Sequence, residues 1–303
     1  MRIGISITSA YRVGDVRYGA QQMIERARAA NHAGLDSLFV GDQHVTAIPY
    51  YQNVAIIGRL LAEWDDRPAG ILMLLPLWNP VLAAEQLATL ASIARGPFIL
   101  QCGLGHGERA FKAMGANLKH RPSAFEESLA TIRQLFAGET VSLDSRWQFE
   151  NASISPLPPT AVDVWVGASA VPAINRAARL GDAWLASPSL TLTEAGESLN
   201  IYRQGLAEHG KPEPATIAIR RDIYVAESAA DAARVRDEIE QNGYRGFDPS
   251  ALVIGEPGVV AEDFAALAEL GYTDIIVRNL HPDQEKAVAS TLHLASVRAE
   301  LTI

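Results

Sequence analysis

The sequence predicts a (β/α)8 barrel, a TIM barrel, with insertions after its fourth and seventh strands. Eight short apolar runs rich in β-branched residues recur, and a stretch of helical period follows each of them. The 303 residues also show no linker, low-complexity tract or repeat that would divide them. The chain therefore reads as one domain, 1–303, within the size range of α/β barrels. A doubly wound open sheet commonly stops at about six strands and reverses its order, and fits less well.

The predicted strands are Arg2–Ile7, Ser37–Val40, Ala69–Leu75, Pro97–Cys102, Val162–Val166, Ala183–Ala186, Thr216–Val225 and Thr273–Val277. Between the first two, a helix from about Gly19 carries Ala20, Met23, Ile24, Ala27 and Ala30 on one face, a stripe for packing on a sheet. Asn79-Pro80 places a capping side chain ahead of a proline at the first helical position, opening Val81–Ala94. Ser123-Ala124-Phe125-Glu126 reads as a capping box opening a helix to Ala137, and Ser228 to Asp231 as a weaker one. Gly34, Gly181, Gly243 and Gly271 each follow a periodic stretch where a left-handed residue ends a helix. The long spacings Cys102 to Val162 and Val225 to Thr273 hold the insertions. Within the first, Thr140 to Pro159 reads as a small hairpin and a rigid connector.

Composition excludes several function classes. With 26 Lys and Arg against 35 Asp and Glu the chain carries −9, and no basic window interleaves with aromatics, so nucleic acid is not an expected partner. The single cysteine, Cys102, lies in an apolar strand, which rules out an intramolecular disulfide and points to a reducing cytoplasm and a core role. No apolar run of about 18 residues appears and Met1 leads directly into a strand, so neither a membrane span nor export is expected. No His or Glu cluster has metal-ligand spacing, and no Gly-x-Ser-x-Gly elbow is present.

In a barrel, chemistry sits at the C-terminal ends of the strands. After strand 2 come Gly41-Asp42-Gln43-His44; a carboxylate and an imidazole there can position and protonate a bound ring, or Asp42 can simply cap the turn. Strand 4 runs into Gly103-Leu104-Gly105-His106-Gly107, a loop that lets backbone approach a phosphate or flat ring, and equally a tight turn. It is not a dinucleotide fingerprint, because Glu108 stands where the third glycine is needed. Strand 5 ends in Gly167-Ala168-Ser169-Ala170 ahead of a helix, an anion site by its small residues and free N–H groups, with Ser169 alternatively a plain N-cap. Thr8, Ser9, Tyr50, Tyr51 and Trp78 face the substrate or pack beneath a loop.

Four segments in collinear order carry a resemblance across nearly the whole chain. Gly34 to Asp42, Leu75 to Val81 with Gln86 to Leu90, the strand 4 glycine loop, and Val164 to Ser169 with Ala178 to Asp182 resemble the bacterial-luciferase-like flavin and deazaflavin oxidoreductase family. The resemblance implies a ring cofactor across the strand ends, coenzyme F420 or FMN, contacted by Asp42, Leu72, Met73, Gly103, Leu104 and Gly105. It implies phosphate on Gly167, Ala168, Ser169 and Ala170, and a bulge with a non-proline cis peptide at Leu72-Met73. The family's deazaflavin members carry a histidine after the acidic residue of strand 2. Here Gln43 holds that place and His44 follows, so His44 or His106 is the expected proton-handling group, with Gln43 beside it. The short chain and the Gly-Asp pair after strand 2 resemble the F420-dependent branch, which implies hydride transfer to or from a small organic substrate. The FMN branch implies a two-component monooxygenase. Either carries a separate cofactor-reducing enzyme and a homodimer as the resemblance's implications. A binding protein without turnover, motivated by Gln43, and a phosphate-binding isomerase or aldolase are the competing classes; the latter lacks a strand-end lysine.

Overall fold

The computed structural model describes residues 1–301, so Thr302 and Ile303 of the expected domain lie outside the described residues. In chain order the elements are β1 (Arg2–Ile7), α1 (Val16–His32), β2 (Ser37–Val40), α2 (Asn53–Leu60), β3 (Ala69–Leu74), α3 (Pro80–Ile93) and β4 (Phe98–Gly103). There follow α4 (Glu108–Ala113), α5 (Arg121–Phe136), β5 (Val141–Asp144), β6 (Gln148–Ala152), β7 (Asp163–Ala168), α6 (Val171–Leu180), β8 (Ala183–Ala186) and α7 (Leu192–Glu208). The last part holds β9 (Ile217–Val225), α8 (Ala229–Asn242), β10 (Val253–Gly255), α9 (Pro257–Leu270), β11 (Asp274–Asn279) and α10 (Gln284–Leu301).

β1, β2, β3, β4, β7, β8, β9 and β11 pair in parallel and the β8–β9 pairing closes the ring, giving a (β/α)8 TIM barrel. These are the eight runs read from the sequence. α4, α5 and the antiparallel hairpin β5–β6 lie between β4 and β7; α8, β10 and α9 lie between β9 and β11. β9 is long: its first residues pair with β8, and its last three pair with β10. Among the described residues no helix is long and apolar enough to cross a membrane.

Alternation along each strand splits the core in two. One side chain in two joins the shell between sheet and helices, as Ile3, Ile5, Leu38, Ile71, Met73, Leu100, Val166 and Ile275 do. The other faces the lumen, where Phe39, Ile99, Trp165, Ala183, Ala218 and Ile276 form a buried plug. Phe39 and Trp165 are in tilted contact at 5.5 Å. Gly70 makes room for them, since a Cβ there would overlap the Ile99 carbonyl and come 3.0 Å from the Phe39 ring. Two residues beyond the plug toward the C-terminal end, the same alternation sets Gly41, Gln101, Gly167, Leu185, Arg220 and Arg278 on the lumen face. They form the floor of the barrel mouth.

End chemistry holds at several helices and fails at others. Asn79 caps α3, its Oδ1 accepting from Val81 N at 2.9 Å, and Ser228 accepts from Asp231 N at 3.2 Å. The expected box at Ser123 does not form: α5 starts earlier, at Arg121 with Pro122 in its first turn, and Ser123 instead donates to His120 O at 3.0 Å. A full capping box appears at Thr191 and Glu194, which the sequence reading passed over. Gly34 and Gly271 take positive φ, while Gly181 ends α6 in extended backbone at φ −79° because the chain turns straight into β8. α1 starts at Val16 rather than Gly19, capped by Asp15.

Candidate active site

The C-terminal strand ends bring two unlike groups of side chains together. On the β1–β3 side, Asp42 is the organising residue, its side chain fully buried. Its Oδ2 accepts from Leu74 N and from Trp78 Nε1, each at 2.8 Å. Its Oδ1 lies 3.2 Å from His44 Nε2, an ion-pair distance without hydrogen-bond alignment. Asp42 favours the imidazolium and raises the His44 pKa, against burial, which lowers it. The His44 ring sits 5.7 Å from Trp78. Val45, immediately after, is held at φ 54°, a conformation a β-branched residue adopts only where the surrounding structure forces it.

Tyr50 closes this side from above. Its hydroxyl would meet a Cβ at Gly41 at 3.1 Å, so glycine lets the ring lie over the mouth. Burial pushes Tyr50 up to about 12, Asp42 adds to this, and Ser9, Arg278 and Arg220 oppose it. Those groups therefore converge on one space.

On the β9–β11 side the lumen is charged. Asp222, fully buried, accepts from Tyr244 Oη at 2.8 Å and Arg245 Nη1 at 2.7 Å, and its other oxygen lies 3.4 Å from Arg220 Nη2. Burial alone would raise the Asp222 carboxyl, but Arg220, Arg278 and Arg245 hold it below its ordinary value. Burial pushes the Arg220 guanidinium down to about 10, so it remains charged at neutral pH. Arg278 Nη2 donates to Thr8 Oγ1 at 3.3 Å.

Between these sides run two lean edges. Gly103 would place a Cβ no nearer than 3.8 Å to any atom and Gly107 has open space beside it, whereas Gly105 lies against Leu74 and Phe111; Gly105 and Gly107 take φ 71° and 91°. The N-cap of α6 is Ala170, which offers no side-chain cap, because Ser169 stands one residue too early to fill that position. In the first turn of α6, Pro172 has no N–H and Ala173 N donates to Ala170 O at 2.8 Å, so Val171 N alone lacks a helical acceptor, beside exposed Ser169 and Ala170. Trp184 Nε1 donates to Ala168 O at 3.0 Å and pins the start of that loop. A hollow of about 650 Å³ lined by Arg28, Asn31, Glu63, Trp64 and Arg95 lies at the opposite, N-terminal end of the strands, away from these groups.

The sequence pattern of the luciferase-like monooxygenase family matches residues 1–253. The chain belongs to that family. An F420-dependent glucose-6-phosphate dehydrogenase of Kribbella flavida is 24% identical, over 93% of this chain and 95% of that one. Among solved structures, a monooxygenase from Streptomyces bottropensis superposes with TM-score 0.86 at 17% identity, covering 100% of both chains. An F420-dependent secondary alcohol dehydrogenase, solved with an F420–acetone adduct, superposes with TM-score 0.79 at 17% identity, covering 98% of this chain and 99% of that one. Likeness at that level shows the shared barrel.

For this member of the luciferase-like family, the structure gathers some of the expected residues and redirects others. Asp42, His44, Ser9, Thr8 and Tyr50 meet at the mouth. Gln43 and His106 are exposed, and Gln43 meets Gln52 Nε2 only through its backbone carbonyl at 3.2 Å. The expected cis peptide at Leu72-Met73 is absent: among the described residues the only cis bond is Ser155-Pro156. The reason is that β3 keeps its regular ladder on β4 through Leu72, Met73 and Leu74, leaving no bulge. Alternation turns Leu72 to the lumen and buries Met73 in the outer shell, so Met73 borders the mouth by backbone alone. Trp78 braces Asp42 with its indole N–H, and Tyr51 turns its hydroxyl to Val16 O of α1, away from the mouth. Leu104 is half-buried against the core. Arg220, Asp222, Arg278, Gln101 and Leu74 were missed. The charges inside the otherwise apolar run Ile217–Val225 were the signal that could have found the first two.

Proposed function

We propose that this chain is a coenzyme F420-dependent oxidoreductase that transfers a hydride between the deazaflavin and a small organic substrate. The observation that carries it is the Asp42–His44 pair at the β2 end, with the open backbone of Gly103 at the end of β4, one strand beyond β3. The mouth residues fit a flat ring with a phosphate tail. Gly103 presents backbone without a side chain in the way, Leu72 and Leu74 offer apolar contact, and the start of α6, with no side-chain cap, leaves Val171 N to an anion beside the small residues Ser169 and Ala170. Asp42, Leu72, Met73 through its backbone, Gly103, Leu104 and Gly105 would border the ring; Gly167, Ala168, Ser169 and Ala170 would hold phosphate. When bound, the deazaflavin supplies a hydride donor or acceptor at a ring carbon.

The chain's own residues handle the proton. His44 has Nε2 turned to Asp42, which leaves Nδ1 to give or take a proton at the substrate. Asp42 keeps the imidazole oriented and raises its basicity. Tyr50 and Trp78 narrow the space above Asp42 and exclude water. The exposure of Gln43 and His106 gives them supporting places at the rim. The same reading includes one domain over 1–303, a homodimer, a cytoplasmic setting and a separate cofactor-reducing enzyme.

A side-by-side equilibrium titration of the purified protein with oxidised F420 and with FMN, followed by cofactor fluorescence, tests the reading. Tighter binding of F420 is the expected result. Tighter binding of FMN would move the assignment to a two-component monooxygenase, and binding of neither would overturn the cofactor argument.

A further inference from the structure

The floor of the mouth holds more buried positive charge than the protein itself neutralises. Gln101, Arg220 and Arg278 each stand two residues beyond a member of the lumen plug, Ile99, Ala218 and Ile276, so all three face the lumen on its C-terminal side. Gln101 is only 4% exposed, and its Nε2 has no hydrogen-bond partner among the described residues. The Nε atoms of Arg220 and Arg278 are likewise buried and unpartnered. All three orphans are donors. Arg220 and Arg278 share one buried carboxylate, Asp222, with the exposed Arg245; the carboxylate's unpartnered Oδ1 lies 3.4 Å from Arg220 Nη2, while Asp42 is matched by His44. Buried donors and cations left unmatched cost free energy, and an oxyanion is the group that answers both deficits at once.

The geometry points to Arg220 and Arg278, with Gln101, as a recognition site for an oxyanionic group, carboxylate or phosphate, on the substrate. This rests on the oxidoreductase reading, since it names the class of molecule that enters the same mouth. The substrate's anionic end would sit on the β9–β11 floor, with its reacting carbon toward the β2 side, where His44 is. The cofactor's phosphate has a separate place at the β7–α6 loop: there Ser169 and Ala170 are exposed, and β8 lies between that loop and β9. Asp222 orients Arg220 rather than occupying its whole fork, because only Nη2 faces it and at 3.4 Å.

The test is the thermal unfolding midpoint of the full chain without cofactor, titrated with acetate, benzoate or inorganic phosphate against chloride at fixed ionic strength. A saturable rise with carboxylates, with phosphate or with both is expected, and which of them acts identifies the substrate's group. Arg278→Gln and the isosteric double change Arg220→Gln with Asp222→Asn should each raise the apparent Kd about tenfold or more. Arg278→Lys keeps charge without the fork and should fall between, and Arg28→Gln at the far end of the barrel should leave the response unchanged. No rise beyond chloride, or an unchanged Kd in Arg278→Gln, would overturn the proposal. So would an Arg278→Gln protein that loses F420 affinity while keeping its oxyanion response, since the arginines would then serve the cofactor. Failure of F420 to bind with an intact oxyanion response would defeat only the cofactor reading.

Discussion

Replacing Asp42 with Asn removes one charge from the mouth while keeping its shape. Both protein hydrogen bonds, from Leu74 N and Trp78 Nε1, fall on the same carboxylate oxygen. An amide oxygen in that place accepts both, so what disappears is charge assistance. A bond to a charged acceptor contributes about 1.5–3 kcal/mol and a neutral one about 0.5–1.5 kcal/mol, so the pair together weakens by about 2 kcal/mol. The side chain is fully buried, and solvent returns little of this. His44 adds a pH dependence. Its pKa is raised in the folded protein by Asp42, so the pair contributes stability that is fully present below the ordinary imidazole value and lost as pH rises through the raised value. Without the carboxylate, only burial acts on the ring, and its pKa falls. The stability gap between wild type and Asp42→Asn is therefore widest near about pH 5.5 and narrows by about pH 8.5. Urea unfolding followed by tryptophan fluorescence at both pH values measures the gap, and an NMR titration of the His44 Cε1 proton measures the pKa. Equal urea midpoints, a gap that widens with pH, or a His44 pKa that stays put would refute the reasoning.

Other sites carry shorter tests. Gly70→Ala forces a methyl into the Ile99 carbonyl within the lumen plug, where neighbouring backbone cannot yield; a loss of about 3 kcal/mol or more is expected in urea unfolding, and a wild-type midpoint would contradict it. Trp184→Phe leaves the Ala168 carbonyl without its indole donor, costing about 1–3 kcal/mol; cofactor titration should also show weaker binding, because that bond holds the loop ahead of α6. Cys102 is fully buried and burial pushes its thiol pKa upward, so a disulfide-exchange reagent should label it only as fast as the protein unfolds; prompt labelling in the native state would show the strand is not packed as described.

Most of the barrel was readable because its strands are buried on both faces and so appear as unbroken apolar runs, with glycines, prolines and caps between them. Helix starts were less readable: Ser123 has the residue pattern of a cap, yet the N-cap is His120, three residues sooner, with Pro122 in the first turn. At the site, Asp42 and His44 stood out as polar residues directly after a strand. Met73 and Leu72 show the limit of position alone, since one residue of alternation decides which faces the lumen and which the helices.

By itself the sequence determined the order of strands and helices, the closed parallel architecture and the cluster of small and polar residues at the strand ends, because these follow from local periodicity and burial. Only the tertiary structure decided which side chains meet. Tyr51 and Trp78 lie near the mouth in sequence, yet one turns to α1 and the other braces a carboxylate. Arg220 and Arg278 are 58 residues apart and adjacent in the barrel wall only because β9 pairs with β11, and Gln101 faces the same lumen from β4. Charge balance inside a barrel is a sum over strands distant in sequence, and no single segment contains it.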